Sequence, residues 1–195
     1  MKKSLLSVVL TIFVLSASLF TACDFGNTNV GLGDVNAKIA LCSSSKTAEY
    51  TVNLYVGSTL YQGKTSNFTR NADLTVTVTT ETKSLNPEPL GEVYLNQTAT
   101  ETVAADKGKL PEIKQIKIDY FENEAYSIST VSGKTKVEFV PNAAAFKDMF
   151  DFTDAEIASV SNPKLVIELT DKPISYRLTY TVDGYNAVID LKLGY

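Results

Sequence analysis

Three places in this 195-residue chain carry residue types that could do chemistry: two cysteines, a dense acidic group, and a serine run beside a lysine. The cysteines are Cys23 and Cys42. Cys42 has no basic or histidine partner to lower its pKa, so it reads as a small buried apolar residue and not as a reactive thiol. The acidic group is Asp148, Asp151, Asp154 and Glu156. Its spacing lacks the alternate oxygens and central glycine of a calcium loop, so the carboxylates read as helix-end residues. Ser43-Ser44-Ser45-Lys46 has no supporting catalytic motif and reads as a helix end and turn. The chain has no histidine, which removes Ser-His-Asp and Cys-His nucleophile pairs and His-ligated zinc. Any catalysis would rest on carboxylates or lysine, and no paired arrangement stands out. The expectation is a protein that is not an enzyme and holds no metal or cofactor.

Cys23 differs from Cys42 in what precedes it. Lys2 and Lys3 give a basic start, Leu5 to Phe20 is an uncharged apolar run, and Leu19-Phe20-Thr21-Ala22-Cys23 closes it with small residues and a thiol. That order of parts is a secretory signal. The run of about 16 residues is short for spanning a bilayer, and no basic stop-transfer flank follows. The Ala-Cys end resembles the lipobox of bacterial lipoproteins, with Phe20 where a strict motif has leucine. That resemblance implies a diacylglyceryl group on Cys23 and a chain held by lipid at the extracytoplasmic face of a membrane, periplasmic or on the cell surface. Two or more acyl chains anchor a protein stably. An ordinary cut near Ser16-Ala17-Ser18 would leave Cys23 a plain thiol, able to bridge to Cys42.

The organisation that follows is residues 1–22 as signal peptide, 23–33 as lipidated cysteine and flexible tether, and 34–195 as one β-rich domain. Losing the signal removes Lys2 and Lys3 and no acid, so the net charge falls from −4 to −6. An acidic domain without a Lys/Arg cluster argues against nucleic acid and against electrostatic docking on anionic lipid.

Asp34 to Ser45 reads as a helix with Val35, Ile39 and Cys42 on one face. The period then becomes two. Tyr50, Val52, Leu54 and Val56 mark one strand. Thr59–Gln62 and Thr65–Arg70 read as two more, divided by a Gly63-Lys64 turn. Leu74 to Thr82 alternates with threonine, which suits an exposed strand face. Asn86-Pro87-Glu88-Pro89 reads as a rigid turn or loop, Glu92 to Val103 as a Thr-rich strand, and Ala104 to Gly108 as a charged loop. Pro111 to Phe121 is a short helical or irregular piece. Tyr126–Thr130 and Lys134–Val140 form a hairpin about Ser132-Gly133. Asn142 caps a helix whose apolar face is Phe146, Met149 and Phe150, and Thr153 opens a second short helix through Val160, ended by Asn162-Pro163. Three strands close the chain, the last two joined by Asp183-Gly184.

The sum is nine or ten strands. One apolar and one polar face per strand means a single sheet with one wet side, and no parallel βαβ pattern appears. The expected fold is α+β: a single, mostly antiparallel curved sheet, a half-barrel-like meander, with an N-terminal helix and a short helical insertion before the last three strands. The element order from Lys134 to Tyr195 carries a resemblance. It runs from the hairpin through AAAFKDMFDFTDAEIASV to KLVIELTDKPISYRLTYTVDGYNAVIDLKL, and it resembles the LolA/LppX-like half-barrel lipoproteins. The resemblance implies a cavity for a lipid or other apolar small molecule, or a scaffold role, and not catalysis. The candidate ligand-binding residues are Phe146, Met149 and Phe150 from the insertion and Tyr176, Leu178 and Tyr180 from the sheet, since pockets are apolar with a few polar groups. The alternative is a structural or interaction lipoprotein that contacts another envelope protein.

Overall fold

The computed structural model describes residues 30–88, 91–103 and 109–195; the signal segment and Cys23 lie outside the described residues. Gly31 to Tyr195 forms one compact unit. It is α+β, with nine strands in one open sheet.

Helix α1 spans Leu32–Ile39 and runs into a 3-10 turn, Ala40–Ser44. The Asp34 carboxylate accepts the Gly31 N–H at 3.0 Å, so the helix begins two residues earlier than the sequence pattern predicts. Val35, Ile39 and Cys42 are buried as one stripe across both elements. The strands are β1 (Thr47–Val56), β2 (Thr59–Arg70), β3 (Val76–Glu88), β4 (Gly91–Val103), β5 (Phe121–Val131), β6 (Lys134–Pro141), β7 (Val160–Leu169), β8 (Pro173–Val182) and β9 (Tyr185–Gly194). Helices α2 (Ala143–Phe150) and α3 (Asp154–Ser159) lie between β6 and β7.

The order across the sheet is β4-β3-β2-β1-β9-β8-β7-β6-β5, every pair antiparallel. Two meanders are therefore zipped together where β1 meets β9, and the segment from Val103 to Phe121 carries the chain from one edge to the other. The inner face of β6 to β9 buries Val137, Leu165, Ile167, Leu178, Ile189 and Leu191. It is covered by α1, by α2 and by the irregular stretch before β5, which buries Leu110, Ile113, Ile116 and Tyr120. Asn36 of α1 clamps that stretch. Its Nδ2 donates to the Ile116 carbonyl at 2.7 Å and its Oδ1 accepts the Ile116 N–H at 2.8 Å.

Four sequence expectations need correction. Gly63-Lys64 is not a turn: β2 is continuous through it, and Gly63 pairs with Asn53 on one side and Lys83 on the other. The glycine serves close approach, since a Cβ there would sit 2.7 Å from Asn53 Oδ1. Leu74 is not in a strand. It has φ 67° in a turn where Asp73 Oδ1 accepts the Thr75 N–H at 3.1 Å, and β3 starts at Val76. Asn86-Pro87-Glu88 is not a loop but the end of β3, with Pro87 opposite Glu92. The β2 ladder stops at Ser84, so a residue without an N–H loses no bond on that side. Asn162-Pro163 lies inside β7 as a bulge with Asn162 at φ 50°, and α3 ends at Ser159.

Candidate functional site

The sheet opens between β6 and β7. β6 and β7 pair from Thr135/Leu169 to Phe139/Leu165. Beyond Phe139 the two strands part, because β6 leads into α2 and β7 begins with the bulged return from α3. A groove of about 960 Å³ occupies this split, open to solvent. Its apolar wall includes Phe139, Pro141, Phe146, Ile157 and Val160, and Glu138 and Lys164 stand on its rim. Glu138 is bridged by two ammonium groups, Lys136 and Lys164, each at 2.6 Å. They hold its carboxyl below the usual carboxylate range.

The helical insertion that forms one wall is fixed at its start and at its turn. Asn142 Oδ1 accepts the Ala144 and Ala145 N–H groups at 3.0 and 3.2 Å, and its Nδ2 donates to the Asp119 carbonyl at 2.7 Å. That cap ties α2 to the stretch before β5. The helix stops where Asp151 adopts φ 58°, and the Phe152 N–H returns to the Phe146 carbonyl at 3.2 Å. This is the C-terminal motif in which an apolar residue just past the helix folds back on it. The Phe146 and Phe152 ring centroids are 5.2 Å apart. Thr153 then opens α3, its N–H donating to the Glu156 carboxylate at 2.7 Å.

Behind the groove is an aromatic cluster. Phe150 packs edge-on against Tyr176 at 5.4 Å, Phe152 against Tyr180 at 5.8 Å, and Phe146 against Tyr180 at 6.3 Å. Such edge-to-face contacts add about 0.5–1.5 kcal/mol per pair to simple burial. Burial pushes the Tyr176 phenol well above its usual range and raises those of Tyr180 and Tyr50. The six residues singled out in the sequence therefore divide. Phe146 lines the groove and joins the cluster. Phe150, Tyr176 and Tyr180 are in the cluster. Met149 is buried on α2, and Leu178 is fully buried between Leu165 and Ile189 of the neighbouring strands. Sequence reasoning missed Phe152. The signal was an apolar residue two places past the helix end. It also missed Ile157 and Val160, which line the groove.

The other chemistry-bearing residues have local partners. Asp148 accepts Lys117 Nζ at 2.6 Å and the Tyr120 hydroxyl at 2.8 Å, which hold its carboxyl low. Asp151 pairs with Lys114 at 3.2 Å, Asp154 with Lys147 at 2.6 Å, and Glu156 caps α3. No group of three potential metal ligands occurs among the described residues. Cys42 is buried, its thiol faces the Ile113 carbonyl at 3.8 Å, and burial pushes its pKa up. No helix among the described residues is long and apolar enough to cross a membrane.

No family model matches the sequence, and no curated protein does. Among solved structures, the crystal structure of LprF from Mycobacterium bovis overlaps 87% of this chain and 94% of its own, at 10% identity and a TM-score of 0.42.

Proposed function

We propose that this chain is a non-enzymatic lipoprotein, tethered through Cys23 at the extracytoplasmic face of a membrane, that binds an apolar ligand in the split between β6 and β7. The observation that carries the reading is the groove itself. It has about 960 Å³ of space, apolar walls from Phe139, Phe146, Ile157 and Val160, and a floor that meets a cluster of packed rings. Ligand sites are concave and mostly apolar, with a few polar groups at the rim, and volumes of roughly 300–1,000 Å³ are usual. The N-terminal signal supplies the membrane. Phe150, Tyr176, Leu178, Tyr180 and Met149 form the support behind Phe146, and burial of their rings and side chains gives the wall its rigidity.

Native mass spectrometry with organic extraction tests this on chain purified from a bacterial host. The expected result is a bound apolar mass in the parent and its loss in Ile157→Lys, which places an ammonium in the groove at a half-buried position. An unchanged ligand load in Ile157→Lys would place the ligand elsewhere. A parent without ligand that also takes up no fluorescent fatty-acyl probe would overturn the reading in favour of a structural or interaction lipoprotein.

A further inference from the structure

The two edges of the sheet are built differently. At the β5 edge the pairing with β6 skips from Phe121/Pro141 to Tyr126/Phe139. Asn123 takes φ 52° in the skipped stretch, and the exposed Glu122 stands beside it. A bulge and a charge are standard ways to stop a strand edge from recruiting another strand. The β4 edge has neither device along its middle. Its thirteen residues stay in unbroken register with β3, from Val103/Val76 to Gly91/Glu88. It has no proline and no lysine, and the eight residues from Val93 to Thr100 are uncharged. Among the described residues no strand pairs with its outer side. A long, regular, uncharged edge is a template for strand addition.

We infer that β4 pairs antiparallel with β4 of a second copy of this chain, with Gln97 at the two-fold axis, joining two sheets into one. In an antiparallel ladder the local two-fold axes run between directly opposed residues, so a symmetric pair must place one residue opposite itself. Gln97 is the midpoint of Gly91–Val103, so this register alone pairs the strand with its copy over its full length. With Gln97 opposite itself, Leu95 faces Ala99 and Asn96 faces Thr98, and each glutamate faces an uncharged residue of the partner. Residues of equal parity share a face, so the inner faces of both copies remain on one side. Leu95, 56% exposed in the single chain, gains an apolar cross-strand neighbour. The contact lies on the opposite edge of the sheet from β5 and does not involve the groove or its ligand.

Cysteine crosslinking in membranes of cells expressing the full chain tests this. Opposed cross-strand residues fall within disulfide reach, so Gln97→Cys should give a reducible band of twice the chain mass under mild oxidation. The parent chain and Thr79→Cys, one strand inward, should not. On purified chain in detergent, mass photometry should show a dimer, and Gln97→Lys should weaken it by about tenfold or more by setting two ammonium groups opposite each other. Circular dichroism confirms that this exposed variant folds. No band from Gln97→Cys, equal bands from Gln97→Cys and Thr79→Cys, or a crosslink only to a chain of another mass would each overturn the pairing.

Discussion

Follow one row of inward-facing residues across all nine strands and the molecule divides in two. The row runs Ile128, Val137, Ile167, Tyr176, Leu191, Tyr50, Ser66, Thr80 and Ala99. From β5 to β1 it is apolar; from β2 outward it is hydroxyls and an alanine. The next row does the same, from Leu165, Leu178, Ile189 and Val52 to Lys64, Thr82 and Gln97. The change falls where the cover ends. β7 from Leu165 onward and β9 from Ala187 onward bury every second residue, whereas β2 buries only Gly63 and Ser66. The C-terminal half is stabilised by removing apolar surface from water, and the β2–β4 wing by its ladder and by hydroxyl pairs such as Ser66–Thr80 at 3.0 Å and Thr79–Thr100 at 3.2 Å. One sheet thus holds two regimes. The groove belongs to the first and the free edge to the second.

The sharpest way to break this contrast is to truncate one inward-facing residue on each side of the boundary. Leu178→Ala should cost about 2–5 kcal/mol in urea unfolding, because a fully buried leucine leaves a cavity that the flanking strands cannot close. Thr80→Ala, in the wing, should cost well under about 1 kcal/mol, since it removes one hydroxyl pair and leaves no cavity. Comparable losses at the two sites would mean that the wing is packed as tightly as the core.

Asn142→Ala comes next. It removes an N-cap and the tie to Asp119 together, so a loss of about 1–2 kcal/mol is expected, with faster amide exchange in α2 and the stretch before β5. Asn142 also borders the groove, so ligand retention should fall with it.

These contrasts were partly written in the sequence. Where one face is buried, alternation and turn chemistry agree: Asp183-Gly184 adopts positive φ at both residues and joins β8 to β9, as the pattern predicts. Asn142 and Thr153 cap their helices for the same reason, because the bond is made within three residues. In the wing both faces are polar, so period-two burial gives little to read. Gly63 reads as a turn but serves a close approach, and Pro87 reads as a loop but lies in β3 beyond the end of the β2 ladder. The groove was illegible for another reason. It exists because β6 and β7 separate, and only long-range pairing reveals where that happens. The stretch that buries Leu110, Ile113, Ile116 and Tyr120 has neither period, because it is irregular and held by Asn36 and Asp148.

That last tie gives a pH-dependent test. Lys117 and the Tyr120 hydroxyl stabilise ionised Asp148, so its folded pKa lies below its unfolded one. A carboxylate lowered in this way contributes stability above its unfolded pKa and loses it as pH falls through the folded value. Unfolding measured from about pH 5 down to pH 2 should therefore show a shallower acid limb in Asp148→Asn than in the parent. Tyr120→Phe should retain part of the slope, because Lys117 remains at 2.6 Å.

The smallest expected effect is the most telling about the wing. Thr100 pairs with Thr79 on the outer face, and both hydroxyls can turn to water instead. Thr100→Val should therefore change stability by only a few tenths of a kcal/mol, and could raise it, since valine keeps the β-branch that the pleat favours. Its effect should be larger on assembly, because it adds an apolar residue to the strand proposed to meet its copy. A valine that leaves monomer stability unchanged and tightens the dimer would separate the two contributions of β4. One is the ladder it makes with β3, and the other is the ladder it offers outward. A large loss of monomer stability would show that its hydroxyl belongs to a network the wing cannot spare.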